Sequence, residues 1–458
     1  MTPADFDRQL IDLLGEDAVL REPGERWVYG YDNSRRHAVP ERVVLPRSHE
    51  QVREVVRLCN QFHVPFLARG RGTGTTGATV PVHGDVVLSL ERMNRIVSVD
   101  PANRAIVVEP GVTNQAVQDT AAEHGFFWPP DPTSAAFCTV GGNLAYNSAG
   151  PRAVKYGTCR ENTLGLRAVT GAGEELRTGV YTTKGVVGYD LTRLIIGSEG
   201  TLALITEATL RLTPSPEAKR TFQAVYHTME SAAAAVSAIM AQPVVPCALE
   251  FMDQRAIEMI RSYSGALLPT GAAALLMIEV DGLADAVDAA TERVIAAARN
   301  NGLLHITLAQ SRAEIDALWQ TRKALSPALR NVAPKKINED VVVPVSEIPR
   351  LMTGLRELET RHRITIVNFG HAGNGNIHVN LLVNPDDPQE MSRATACLDE
   401  VFSLVLRLRG TLSGEHGVGL EKRDFIAREL DPVALSLMRK IKQQFDPLGL
   451  FNQGKLLP

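Results

Sequence analysis

The sequence predicts an α+β protein built from more than one structural part, and three observations predict it. From Arg42 onward, short β-branched runs alternate with helix-patterned segments and glycine-rich loops. Residues 217–365 alternate again, with alanine-rich helical runs between apolar strand-like segments, the pattern of helices laid over a sheet. Pro214-Ser-Pro216 separates the two stretches. A chain of 458 residues has room for two or three domains, each with its own core.

Taken in order, Phe6, Leu10, Ile11 and Leu14 mark a short N-terminal helix, followed by a polar approach to residue 40. Val43-Val44-Leu45-Pro46 reads as a strand. Ser48 and Gln51 form a capping-box pattern that opens a helix, with apolar residues at 52, 55, 56 and 58. Val64–Ala68 is the next strand and runs into the loop Arg69-Gly-Arg-Gly-Thr-Gly-Thr-Thr-Gly77. Strands are expected at Val86–Leu90, Ile96–Val99 and Ala105–Val108, then a helix from Gly111 to about His124. Residues 141–150 read as a second Gly/Asn/Ser loop, and Leu202–Leu212 as the strand that closes this half. Beyond it, strands are expected at Thr221–Tyr226, Ala248–Phe251, Ala274–Val280 and Leu304–Ala309, with helices at Ala232–Met240, Arg255–Tyr263 and Asp285–Arg299. Trp319–Ser326 reads as a helix start, and Pro432–Phe445 as the last helix. The chain shows no internal repeat and no low-complexity linker.

Composition narrows the function. Apolar residues make up 44% and charged residues 22%, as in ordinary globular proteins, and a net charge of −4 gives no electrostatic reason to invoke nucleic acid. The first residues lack a basic n-region followed by an apolar stretch, so no signal peptide is expected. The longest apolar run, Ala272–Ile278, is far short of the ~20 residues of a spanning helix. Cys59, Cys138, Cys159, Cys247 and Cys397 show no paired spacing, which argues against disulfides, cysteine-bound zinc and an iron–sulfur cluster. A reducing, cytoplasmic location is expected.

The chemistry concentrates in two short stretches, His371-Ala-Gly-Asn-Gly-Asn-Ile-His378 and Ser413-Gly-Glu415-His416-Gly. A lone histidine in a hairpin is first of all a residue bonded to backbone. Two imidazoles at the edges of one Gly/Asn turn, with a carboxylate elsewhere between glycines, form instead a set suited to a divalent metal, zinc first and manganese second. His371, His378 and Glu415 are the expected ligands. His416 is then left as a general base, and metal plus base is equipment for deprotonating a hydroxyl. The other eight histidines lack such surroundings. The loop 69–77 alone reads as a tight turn, since glycine is the default turn residue. Its amides can also form an anion-binding nest, and a second such loop suggests a long, bent ligand with a pyrophosphate.

Ala68–Ala78, Pro130-Asp-Pro-Thr133, Val140-Gly-Gly-Asn-Leu-Ala145, Pro151-Arg-Ala-Val-Lys-Tyr-Gly157 and Gly197-Ser-Glu-Gly-Thr-Leu202 together resemble the vanillyl-alcohol-oxidase-type (PCMH) family of FAD enzymes. Within it the chain is similar to the branch of D-lactate dehydrogenases, glycolate oxidase FAD subunits and D-2-hydroxyglutarate dehydrogenases. The resemblance runs from about residue 40 to 458. It implies a two-part FAD-binding domain over 1–216, a substrate (cap) domain with a large antiparallel sheet and the metal site over 217–425, and a C-terminal segment, 426–458, returning to the FAD domain. It also implies flavin contacts at Gly70, Arg71, Gly72, Thr73, Gly74, Thr76 and Gly77, at Pro130 and Asp131, and at Gly142, Asn147, Ser148 and Gly150. Glu199, Gly200, Ile205 and Asn452 complete that set. Covalent members carry a histidine where Thr73 stands, so the FAD is expected to be non-covalent. Arg71 and Gln453 depart from the usual forms of their motifs.

The family's Trp-x-x-Arg arginine falls on Arg322, which is expected to hold a substrate carboxylate as a planar fork. Ser326, one helical turn on, Asn380, two residues past His378, and Lys336 are expected to join it. Hydroxyglutarate enzymes carry a lysine where Asn338 stands, and this departure favours a monocarboxylate such as D-lactate. The expectation is therefore oxidation of a D-2-hydroxy acid to its 2-keto acid by hydride transfer to flavin N5. Electrons would pass to a quinone, a cytochrome or an electron-transfer flavoprotein. Peripheral contact with the inner face of a membrane and a homodimer are compatible with this reading. Its rivals are a glycolate or D-2-hydroxyglutarate enzyme, an FAD-bearing subunit inactive without partners, and a zinc hydrolase without flavin.

Overall fold

The computed structural model describes residues 2–264, 271–329 and 332–458. The chain forms two compact units, one of Met1–Ala149, Gly157–Ser215 and Glu415–Pro458, the other of Gly150–Tyr156 and Pro216–Gly414.

The first unit holds two principal sheets. In the four-stranded one, Arg42–Val44, Val86–Ser89 and Phe66–Arg69 pair in parallel, and Val19–Leu20 adds an antiparallel edge. Parallel strands need both faces covered. The amphipathic helix His49–Phe62 buries Val52, Val55 and Val56 in one core with Val44, Phe66, Val86 and Leu88. Ser48 caps that helix by accepting from Gln51 N, but the expected capping box is only half made: Gln51 Oε1 accepts from Arg47 N instead. The five-stranded sheet is antiparallel, in the order Ile96–Asp100, Ala105–Val108, Ala203–Arg211, Thr163–Thr170, Glu175–Gly179. It packs on Trp128, Val140, Leu144 and Ile195.

The second unit is one seven-stranded, fully antiparallel sheet. Its order is Leu303–Leu308, Ala218–Tyr226, Ala274–Gly282, Ala248–Asp253, Thr365–His371, Asn376–Val383, Lys335–Val342. Side chains alternate between the faces of a strand, so register decides which residues meet. On one face Val225, Met252, Leu275, Met277, Val367 and Phe369 pack with Ala256, Ile257 and Ile260 of the helix Gln254–Ser264. On the other, Tyr226 reaches the helix Val287–Ala298 and donates to the carbonyl of Ala298.

The α+β class and the large antiparallel sheet agree with expectation; several local readings do not. Residues 140–146 are a helix rather than a loop, because Thr139 accepts from Gly142 N and Asn147 ends the turn in left-handed conformation at φ 54°. Trp319 and Arg322 lie near the end of the helix Arg312–Lys323 rather than at a start. A separate short helix begins at Leu325, so Ser326 is not one turn further along the same helix, and its side chain lies outside the described residues. The segment 150–156 belongs to the second unit because Asp281 holds Lys155 in an ion pair and accepts from Tyr156 OH at 2.7 Å. The compact first unit takes in the chain from Glu415 onward, where Glu199 accepts from Val418 N (2.6 Å) and Gly419 N (2.7 Å). Among the described residues no helix is long and apolar enough to cross a membrane.

Candidate active site

The chemistry of the second unit starts from one hairpin. Thr365–His371 and Asn376–Val383 are joined by the tight turn Ala372–Asn374, which ends on Gly375 at φ 74°. A Cβ on Gly375 would collide with the Val343 carbonyl oxygen, so close approach as well as the left-handed angle calls for glycine. The register sets His371 opposite Asn376, Phe369 opposite His378 and Val367 opposite Asn380. All six therefore project from one face. Neighbouring strands add Glu250 opposite His371, Asp340 opposite His378 and Asn338 opposite Asn380.

The two imidazoles are buried, edge to face, with ring centroids 5.4 Å apart. Glu250 is fully buried and both its oxygens are engaged, one with His371 Nδ1 and one with Arg322 Nε, each at 2.6 Å. Burial pushes the Glu250 carboxyl up, but His371 and Arg322 outweigh it and hold it well below the usual carboxylate range. A carboxylate only accepts, so His371 carries a proton on Nδ1, toward Glu250. The Arg322 guanidinium also lies over the Phe369 ring, 5.0 Å from its centroid.

Asp340 organises the exit of the chain from this sheet. It accepts from Ser413 Oγ at 3.0 Å, and its carboxylate and backbone oxygens both accept from Gly414 N. Glu415 follows directly. His371 and His378 lie together on this face of the second unit, Glu415 opens the segment assigned to the first, and two imidazoles plus a carboxylate are a donor set that fits a divalent metal with positions to spare. Asn380 donates to the Val367 and His378 carbonyls, and its buried Oδ1 has no protein partner among the described residues. Lys336 pairs with Leu382 in continuous register, so no strand slip brings it to the place of Asn338.

In the first unit, the loop after Phe66–Arg69 is tethered by hydrogen bonds to residues 32 and 33. Gly77 N donates to the buried Asp32, and Asn33 bonds the backbone oxygens of Thr73 and Gly74. A Cβ on Gly70 would lie 2.5 Å from Thr139 Oγ1, and one on Gly74 2.8 Å from Tyr146 OH. The glycines thus let the loop close against the cap and C-terminal turn of the helix Val140–Tyr146. Arg71 is half exposed and faces Glu91 at 3.9 Å. Thr76 is buried and its hydroxyl faces the His416 carbonyl. Asn114 Nδ2 donates to the Pro130 carbonyl, and Asp131 N to that of Ala149. Asn147 Oδ1 accepts from Thr158 Oγ1 and Arg160 N, and Ser148 N donates to Asn143 O. Gly150 falls in the segment carried by the second unit, and Ile205 packs in the core of the five-stranded sheet.

Glu199 and Gly200 both take left-handed backbone, and the Glu199 carboxylate anchors the turn after His416. Asn452 comes to the same place from the tail. Its amide donates to the Glu199 carbonyl and its backbone N to Phe66 O, while Phe451 stacks on Phe66 with centroids 5.0 Å apart. Asn452 Oδ1 is buried with no protein partner among the described residues, an acceptor left for a ligand donor. Close-approach glycines and this orphaned acceptor fit a dinucleotide.

Sequence reading missed Glu250 and Asp340. Each is a charge in an apolar run, Leu249-Glu-Phe251 and Glu339-Asp-Val341-Val342, and that signal was available. Their partners lie 121 and 73 positions away in sequence, in His371 and Ser413, so only the register shows them.

Residues 40–179 match the model of the FAD binding domain, and residues 215–456 that of the C-terminal domain of FAD linked oxidases. Glycolate oxidase subunit GlcD of Bacillus subtilis is 36% identical over 457 residues, covering 100% of this chain and 97% of that protein. D-lactate dehydrogenase of Archaeoglobus fulgidus is 36% identical over 91% of each chain. The structure of p-cresol methylhydroxylase with substrate bound superposes with a TM-score of 0.79 at 20% identity, over 99% of this chain and 96% of that one, and so shares the fold. With two domain models matched in order and relatives aligned end to end, the chain belongs to the FAD-linked oxidase family, as an FAD-linked oxidoreductase of the group that holds GlcD and the D-lactate dehydrogenases.

Proposed function

We propose that the protein oxidises a D-2-hydroxy acid, D-lactate first, to the 2-keto acid, and that an external quinone, cytochrome or electron-transfer flavoprotein takes the electrons. The observation that carries this reading is the pairing, on one sheet face, of two metal-type imidazoles with an arginine fixed through Glu250. Bound FAD supplies a hydride acceptor, and a zinc or manganese ion held by His371, His378 and Glu415 supplies polarisation of a hydroxyl. Arg322 holds the substrate carboxylate through its terminal nitrogens, since its Nε is engaged by Glu250. Asn380 offers its orphaned Oδ1 beside the histidines; Lys336 and Ser326, whose side chain lies outside the described residues, are further contacts proposed from the sequence. His416 takes the C2 hydroxyl proton. Thr73 has no imidazole for covalent attachment, which supports a dissociable flavin. Asn338 in place of a lysine supports a monocarboxylate, and five free, buried cysteines support a reducing, cytoplasmic setting.

Glycolate is the second reading, favoured by the full-length likeness to a GlcD subunit; that likeness also suggests partner subunits. Anaerobic titration of the purified protein, followed at the flavin band, separates the readings. D-lactate is expected to bleach the band at the lowest concentration. Bleaching by glycolate first supports the second reading. A flavin that none of D-lactate, glycolate or D-2-hydroxyglutarate reduces sinks both.

A further inference from the structure

We propose that Glu250 is the positioning residue of this site, one carboxylate that sets the geometry of the metal ligand His371 and of the substrate arginine Arg322 together. The inference rests on the function proposed above and adds a residue to it. Glu250 sits mid-strand between Leu249 and Phe251, with no exposed surface. An isolated carboxylate there would be strongly disfavoured, so the pairing has to be complete. It is complete in a particular way: Oε1 takes His371 Nδ1, Oε2 takes Arg322 Nε, and both contacts are 2.6 Å. The partners come from different elements, a strand and the helix Arg312–Lys323. Phe369 finishes the frame, with its ring 5.0 Å from the Arg322 guanidinium and 5.6 Å from the His378 ring.

The consequence is chemical. Bonding at Nδ1 fixes the His371 tautomer and ring plane and makes Nε2 a better donor. Bonding at Nε fixes the guanidinium plane and leaves the terminal nitrogens for a carboxylate. A glutamine can give its oxygen to only one of the two donors and sets an NH2 against the other. An aspartate keeps the charge but is one methylene short of spanning both.

The test uses full-length, flavin-loaded protein and zinc ion alone, with affinity read by competition against a chromophoric chelator. Glu250→Gln is expected to lower zinc affinity by roughly 10–100-fold, the range for partners of metal-bound histidines. It should also raise the KM for D-lactate about tenfold, as one charged hydrogen bond is lost, with flavin content and visible spectrum retained. Glu250→Asp should show a smaller loss of zinc affinity, and it carries the test if the glutamine variant does not fold. Unchanged zinc affinity and KM in the folded variants would overturn the assignment while leaving the metal site standing. If His371→Ala binds zinc as the wild type does, the metal reading beneath it fails instead, and Glu250 loses this role with it.

Discussion

Lys455, in the C-terminal tail, buries its ammonium against the backbone oxygens of Val80 and Ala78, just past the glycine loop. Burial lowers its pKa from 10.5 to about 8, against the raising influence of Asp85. Below pH 8 the lysine is charged in both states, and the folded state bears the full desolvation cost. Between pH 8 and 10.5 the folded protein gives up that proton while the unfolded chain keeps it, so stability rises with pH. The span corresponds to about 3 kcal/mol. The thermal midpoint of the wild type relative to Lys455→Met should therefore climb across this window, and a flat difference would exclude the effect. Single residues of this kind are poorly legible in sequence: Lys455 reads as an ordinary tail lysine until its surroundings are known. Arg322 and the two hairpin histidines stand out in the sequence because they sit in short motifs, and the roles proposed for them rest on those motifs.

Between residues and the molecule, the hairpin Thr365–Val383 does the most for the site. A slip of one residue would send His378 and Asn380 to the opposite face. Gly375 fixes the register through both its φ and its approach to Val343. Gly375→Ala should lower the thermal midpoint by at least a few degrees and weaken zinc binding by at least tenfold, because the turn has to shift. Gly125→Ala is the control: its φ is also positive, but a Cβ there meets nothing within 4 Å, so it should leave zinc affinity unchanged. Equal behaviour of the two variants in zinc titration would show that the turn does not set the ligands. Many helices and strands were legible from period and caps, though the helices Ile348–His362 and Pro388–Arg407 and the strand Thr163–Thr170 were not read. The helix Val140–Tyr146 was not, because its Gly-Gly-Asn start reads as a loop by propensity, and it is the Thr139 cap and burial of Val140 and Leu144 that decide it.

At the scale of the whole molecule, two of the proposed metal donors, His371 and His378, lie in the second unit, while the third, Glu415, and most of the proposed flavin contacts lie in the first. A strong chelator should accordingly abolish reduction of the flavin by D-lactate and leave the flavin bound, its visible spectrum intact before substrate is added. Release of flavin on chelation would show that the metal holds the fold or cofactor as a whole. Added zinc or manganese should restore reduction.

The sequence by itself determined the α+β class and many of the strands and helices, and it displays the glycine-rich loops and the histidine, glutamate and arginine motifs on which the proposed function rests. These are local: they depend on period, caps, turn residues and short motifs, which a linear chain displays. Tertiary structure alone decided what those motifs touch. The Glu250 bridge, the Asp340 clamp on residues 413–414, the Glu199 anchor on 418–419 and the return of Asn452 to Phe66 each join positions far apart in sequence. Such contacts follow from strand register and from the need to pair every buried charge, and neither is written in any one stretch of the chain.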